Sequence, residues 1–320
     1  MIEQNTTPKR NPRFKRANGL NFRLQDRDIE IIRQVYKHRF LSSEHILVLF
    51  PESRQGVLRR LRLLFHNGYL DRPREQAKPF LLGNNPFIYG IGNKSADLLK
   101  ERFNIPRGKV DWTSKNREVK TIFLEHTLLT ADFMVALELA CKARGDIKLI
   151  EPAEIIAQAP LRQKKQVNPC SWKVKVKINN NPYEFQMIPD KVFGLKFLNE
   201  PEGNNKAFFL VEIDRATMPI VRTDLNQTSF YKKMIGYWAS WQEGVFSQVF
   251  GFKNPRVLTI TTTHERIANM IQAGKAVDER KHGLRLFLFA RREDYSVAEP
   301  KKLFEQVWLN GRGERASLLD

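Results

Sequence analysis

Apolar residues recur at helical spacing through the first third of the chain, with polar punctuation between the repeats. In Asp26–His38 (DRDIEIIRQVYKH), Ile29, Ile32, Val35 and Tyr36 share one side of a helix behind Asp26 as a candidate cap. Ser42 or Ser43 can cap a short second helix through His45–Phe50, which Pro51 ends. Ser53 can cap a third helix running to His66, where Asn67-Gly68 breaks the pattern. Its apolar stripe is Val57, Leu58, Leu61, Leu64 and Phe65. Gln55, Arg59, Arg62 and His66 lie along another face, which Arg54 and Arg60 widen. Tyr69–Arg74, Lys78–Leu82 and Pro86–Ile91 read as short strands among Pro- and Asn-rich turns.

Asn104–Lys120 has no sustained period and predicts a connection. A long helix follows at Leu124–Arg144, stopped by Gly145. Strand patterns occupy Lys148–Ile156, Trp172–Ile178, Tyr183–Ile188, Val192–Phe197, Ala207–Ile213, Val257–Thr262 and Leu284–Ala290. Helical patterns interrupt them at Asn226–Glu243 and Glu265–Ala276. This order predicts an α/β (α+β) fold with a mixed sheet. The expected organisation is a flexible arm (1–23), a helical domain (24–103), a linker (104–120), the α/β domain (121–310) and a tail (311–320).

Charge sharpens that division. The 320 residues carry 54 Lys+Arg against 35 Asp+Glu, a net +19. Met1–Lys120 has 25 basic and 12 acidic residues, giving +13, and the remainder has 29 and 23, giving +6. A concentrated positive excess suits a phosphate backbone, because each neutralised phosphate releases counterions. The arm (Lys9, Arg10, Arg13, Lys15, Arg16), the third helix (Arg54, Gln55, Arg59, Arg60, Arg62) and the strand residues Arg72 and Arg74 are therefore candidate contacts to double-stranded DNA. A solvated tail, a protein-binding domain with an incidental Arg face and an RNA-binding module are the alternatives. Two cysteines, Cys141 and Cys170, exclude a disulfide framework or a Cys-ligated zinc site. Without a membrane-length apolar run or a leader pattern, a cytoplasmic protein with no membrane partner is expected.

Candidate chemistry sits in the second half. Ile188-Pro189-Asp190 follows a hairpin whose turn is Asn179-Asn180-Asn181, and an apolar strand ends in Glu212-Ile213-Asp214. Alternation puts Glu212 and Asp214 on one face, where like charges repel unless a cation or a pKa shift relieves them. Mg2+ or Mn2+ is the natural relief. The alternatives are Asp190 as a turn residue, Glu212 and Asp214 paired with Arg215 or Lys191, and His264 as a helix start. Phe230, Met234, Trp238 and Trp241 read as a core stripe.

Three resemblances follow from these residues. The first third resembles the winged helix-turn-helix family, which implies a third helix in the major groove and a wing on phosphate. Pro189-Asp190 followed by Glu212-Ile213-Asp214 and a helix resembles the PD-(D/E)xK restriction-endonuclease-like superfamily. That likeness implies that Asp190 and Glu212 hold the metal. The usual lysine position is occupied by Asp214, and Lys233 on the next helix can replace it. Lys233-Met234-Ile235-Gly236-Tyr237 has the place of a Gln-x-x-x-Tyr element, and His126 that of a metal-ligating histidine on the first helix. Its alternative is a helix cap. Glu212–Thr217 (EIDRAT) before a Lys/Tyr helix resembles the replication-relaxation family, which includes plasmid mobilisation relaxases. Metal-dependent nicking of one DNA strand is implied, with Asp190, Glu212, Asp214, Lys233 and Tyr237 as catalytic candidates. A homodimer and other relaxosome or mobile-element proteins would be partners. The rival is a non-catalytic DNA-binding regulator or relaxosome accessory factor. Tyr231 and Tyr237 are both conceivable nucleophiles.

Overall fold

The computed structural model describes residues 13–17, 20–77, 85–106, 116–278, 280 and 282–320. The chain divides into two compact units, Met1–Asp132 and Phe133–Asp320.

In the first unit, helix α1 (Asp26–His38) leads through strand β1 (Leu41–Ser42) to α2 (Ser43–Leu49) and α3 (Arg54–His66). Strands β2 (Leu70–Asp71) and β3 (Ile88–Ile91) and helix α4 (Asn93–Phe103) follow. Ser42 and Ser53 accept the N–H of His45 and Gly56, so these hydroxyls satisfy otherwise orphaned amides. The cap of α1 falls at Gln25, one residue before Asp26, and Asp28 accepts the Gln25 N–H at 2.8 Å. Ile31, Ile32, Val35, Leu61 and Leu64 are fully buried, which makes the α1 and α3 stripes the core. A small antiparallel sheet has the order β1-β3-β2. Helix α4 and strand β1 were not legible from the pattern, and segment 78–82 lies outside the described residues.

Two expectations for this unit are corrected. Arg16 does not belong to a flexible arm: its guanidinium donates to Phe65 O (2.8 Å), Leu70 O (3.0 Å) and Asp71 Oδ1 (2.9 Å). The end of the expected linker is also packed, with Arg117 Nε on Asp71 Oδ2 at 2.7 Å and Val119 against Phe40 and Leu124. Lys9 and Arg10 lie outside the described residues.

Helix α5 (Thr121–Arg144) gives its first half to this unit and its second half to the next. Then come β4 (Ile147–Ile150), α6 (Pro152–Gln158), α7 (Leu161–Lys164), the hairpin β5 (Trp172–Ile178) and β6 (Asn181–Met187), β7 (Lys191–Phe197) and β8 (Lys206–Ile213). Helices α8 (Phe230–Gln242) and α9 (Val245–Phe250) lead to β9 (Arg256–Thr261), α10 (His264–Val277), β10 (Phe287–Arg291), β11 (Trp308–Asn310) and β12 (Arg315–Ala316). The seven-stranded sheet is ordered β12-β11-β10-β9-β8-β7-β4. Pairs β8·β9 and β9·β10 are parallel and the rest antiparallel, so the sheet is mixed, as the element order predicts.

The predicted strand at Lys148–Ile156 stops at Ile150, because Pro152 opens a helix instead. Asn179 and Asn180 adopt positive φ (48° and 64°), the backbone a two-residue hairpin turn needs. The expected tail is a strand: β12 pairs with β11, Leu318 is buried and Ser317 Oγ donates to Phe304 O at 2.7 Å. Helix α8 packs on the hairpin at Gly236, where a Cβ would stand 2.3 Å from Met187 Sδ. Trp172 Nε1 donates to Ser240 Oγ at 2.9 Å in the same contact. That close approach fixes where Lys233 and Tyr237, on the same helix, project.

Candidate functional site

Register brings the first two acids together. Strand β7 pairs antiparallel with β8 so that Lys191 faces Val211, which sets Asp190 opposite Glu212. Asp190 N–H donates to Val211 O (2.9 Å), and Asp190 Oδ2 accepts Ile213 N–H (2.7 Å). The aspartate thus bridges the two strands. Glu212 lies at the end of β8 with its side chain 4% exposed, accepting Lys233 Nζ at 2.5 Å on Oε2 and the Tyr237 hydroxyl on Oε1. Both donors lie on one face of α8, four residues apart.

Burial pushes the Glu212 carboxyl above its ordinary value, against the pull of Lys233, and the neighbouring Asp190 charge adds to the rise. Burial alone would lower the Lys233 ammonium, but Glu212, Asp190 and Asp214 outweigh it and hold the lysine charged. Tyr237 is pushed well up by burial and by Glu212. A buried phenol held protonated against a carboxylate positions that carboxylate, and a nucleophilic role for it has no support in this geometry. Lys233 keeps 33% of its side chain exposed, so it is the solvent-facing cation above the acids.

Asp214 meets a different fate two residues on. Its carboxylate accepts Arg266 Nε on Oδ2 and Arg266 Nη2 on Oδ1 (2.8 Å), and Thr261 Oγ1 donates to Oδ2 at 2.5 Å. Arg266 also donates to Met218 O at 2.6 Å. Asp214 is thereby tied to α10 and β9 through both of its oxygens. Glu212 pairs with Lys233 and Asp214 with Arg266, two cations drawn from later helices. Arg266 and Thr261 were missed, since they sit about 50 residues downstream and no local pattern marks them.

Among the described residues, no group of three or more His, Cys, Asp or Glu side chains is gathered to hold a metal ion. His126 lies on α5 in the first unit, where its carbonyl accepts the Thr130 hydroxyl at 2.9 Å. Mg2+, however, is ordinarily held by one or two carboxylates, waters and substrate phosphate oxygens. Asp190 and Glu212 supply that pair. Thr259, the register partner of Glu212 on β9, adds a fully buried hydroxyl with no hydrogen-bond partner among the described residues. The donor set fits a hard cation once Lys233 or Tyr237 yields a Glu212 oxygen.

In the first unit, α3 sorts its basic residues by exposure. Gln55, Arg59 and Arg62 are exposed, and the first turn of α3 has no acid. Arg54 is also exposed but forked onto Glu44 (3.0 and 2.7 Å). Arg60 is a structural ion: it binds Asp28, whose side chain is fully buried, and Arg23 O at 2.9 Å. Arg72 is buried too, between the rings of Phe65, Phe87 and Tyr89, with Nη1 on Arg13 O at 2.6 Å. Neither Arg60 nor Arg72 is available to phosphate, which corrects their expected role; Arg74, Arg13 and Lys15 remain exposed. His66, expected on the basic face, is buried and accepts Ala17 N–H at 3.0 Å.

These features define an α/β protein of two units, one helical and basic, the other a mixed sheet carrying a buried acid–lysine cluster. The chain belongs to the replication-relaxation family, whose model matches residues 32–254, more than two thirds of its length. No curated protein and no solved structure matches it. Among the described residues, no helix is long and apolar enough to cross a membrane.

Proposed function

We propose that this replication-relaxation protein binds duplex DNA of a mobile element or replicon through its first unit and nicks one strand with its second. The pairing of partly exposed Lys233 with the buried Glu212, which the β7·β8 register sets beside Asp190, carries this reading. Burying acids around one partly exposed lysine is costly for stability alone, and such clusters occur where charge must be handled. The order of α5 through β9 (helix, strand, two short helices, hairpin, two strands, two helices, strand) supports a PD-(D/E)xK-like core. The β1-α2-α3-β2-β3 order, with its three-stranded antiparallel sheet, supports a winged helix-turn-helix.

Asp190 and Glu212 would hold Mg2+ or Mn2+, which when bound supplies Lewis-acid polarisation of the scissile phosphate. Lys233 faces solvent and is held charged, so it can meet a phosphate oxygen and stabilise the charge that develops there. Tyr237 holds Glu212 in orientation. The exposed row of Gln55, Arg59 and Arg62 is the surface for the groove and its phosphates. Incubating supercoiled plasmid with the full chain and Mn2+ tests the proposal. Open-circle DNA is expected from wild type and not from Asp190→Asn; no open circle from wild type, or equal amounts from both, contradicts it.

One observation favours a second reading, a silent accessory factor. Both Glu212 oxygens are already taken, and Asp214 stands where the usual lysine would. In that case calorimetry should detect no Mn2+ binding that Glu212→Gln abolishes.

A further inference from the structure

The second unit has a feature outside the acid cluster. A cleft of about 700 Å³ opens at the amino ends of β9 and β10, beside the last turn of α8. Trp238 and Trp241 form one wall, stacked with ring centroids 4.9 Å apart at 15°. Trp241 is 40% exposed, and its Nε1 donates to Asn254 Oδ1 at 3.1 Å, so the plane of the exposed indole is fixed. Arg256, Arg280, Arg285 and Arg312 line the remainder. Among the described lining residues Asp278 is the acid, and its two oxygens accept the backbone N–H of Arg280 and His282 (3.2 and 3.0 Å). Arg256 is tethered to Asp320 O at 2.9 Å, and Arg285 has only a loose contact to Glu314 at 3.8 Å. Arg280 and Arg312 have no side-chain partner among the described residues.

We propose that this cleft binds a single-stranded nucleic-acid segment, with a base stacked on Trp241 and the backbone phosphates on Arg285 and Arg312. An indole face can stack only on a base withdrawn from a duplex, and every base offers such a face. Guanidiniums grip phosphate by parallel N–H donation. A pinned aromatic plane beside unsatisfied arginines supplies both halves of that recognition without ordering a loop. An acidic peptide would use the arginines but leave the exposed indole uncovered. Thr259, opposite Glu212, lies three residues along β9 from Arg256, about 10 Å at ordinary strand rise. A strand seated in the cleft would thus run close to the acid cluster, and its binding there does not depend on whether those acids are catalytic.

The test uses the full chain carrying Arg59→Ala and Arg62→Ala, so that the α3 face does not contribute. Affinity for labelled (dT)12 and (U)12 is read by anisotropy across a salt series, with poly-glutamate as competitor. Trp241→Ala should weaken oligonucleotide binding about tenfold while the thermal melt is unchanged, and Trp241→Phe should recover most of that loss. Arg285→Ala with Arg312→Ala should weaken binding further and lower the salt slope by about 1.4, two phosphates' worth for a single strand. Tighter (U)12 than (dT)12 binding would support the cleft and name RNA as its strand; the reverse would name DNA. Unchanged affinity in both variants would overturn the proposal, as would poly-glutamate competing as well as the oligonucleotide at equal charge.

Discussion

The two units handle charge in opposite ways. In the first, α3 leaves Arg59 and Arg62 in water and commits Arg60 to the buried Asp28. In the second, Glu212 and Asp214 are both withdrawn from water and each is matched to a cation from a distant helix. An exposed cation costs little to keep and acts on whatever approaches, so removing it should change binding and leave the fold alone. A buried acid must be matched, so removing its partner should injure the fold as well.

The largest effect is expected where the match is most complete. Arg266→Met strands Asp214 against one hydroxyl and should cost about 3–5 kcal/mol in urea denaturation. Restoring neutrality with Asp214→Asn in the same chain should recover part of it, and an unaltered midpoint for Arg266→Met would break the contrast between the units. Next, Arg59→Ala with Arg62→Ala should leave the denaturation midpoint in place. Mobility-shift assays of that variant should show weaker duplex binding, with a salt slope lower by about 1.8, or two phosphates. Arg60→Ala sharpens the point. Although Arg60 directly follows Arg59 in α3, its loss should destabilise the fold as a second-unit mutation would, because its carboxylate partner Asp28 is buried.

Smaller effects isolate Glu212. Tyr237→Phe removes one hydrogen bond to a carboxylate and should cost about 1.5–3 kcal/mol. The pH dependence has a definite sign. Glu212 is raised in the folded state, so its contribution is fully present below the ordinary glutamate value and is lost as pH rises through the raised one. Relative to Glu212→Gln, the wild type should therefore lose stability with rising pH above the ordinary glutamate range. Denaturation midpoints of the two proteins that stay parallel across that range would contradict a buried, upward-shifted carboxyl.

Much of this was legible in the sequence because local chemistry determined it. Ser53 before a stripe of Val57, Leu61 and Leu64 marks α3 to the residue, and the Asn179-Asn180 turn marks its hairpin. Asp190, Glu212 and Lys233 could be named because each ends or follows a strongly patterned element. Partnerships across long separations were not legible. Nothing near Arg60 announces Asp28, and nothing near Asp214 announces Arg266, because those pairs exist only once helices pack. Very short strands such as β1 and β12 hold too few residues to show a period, and Trp241 reads as core until the sheet is assembled and leaves its ring exposed.

The most direct measurement is the open-circle yield from supercoiled plasmid with Mn2+, for wild type and Lys233→Met in parallel, at concentrations where both are folded. Nicking by wild type, reduced about 100-fold or more in Lys233→Met, is the expected result for a cation that stabilises the cleaved phosphate. Equal nicking by the two proteins, or none by wild type, would contradict a catalytic role for the acid–lysine cluster.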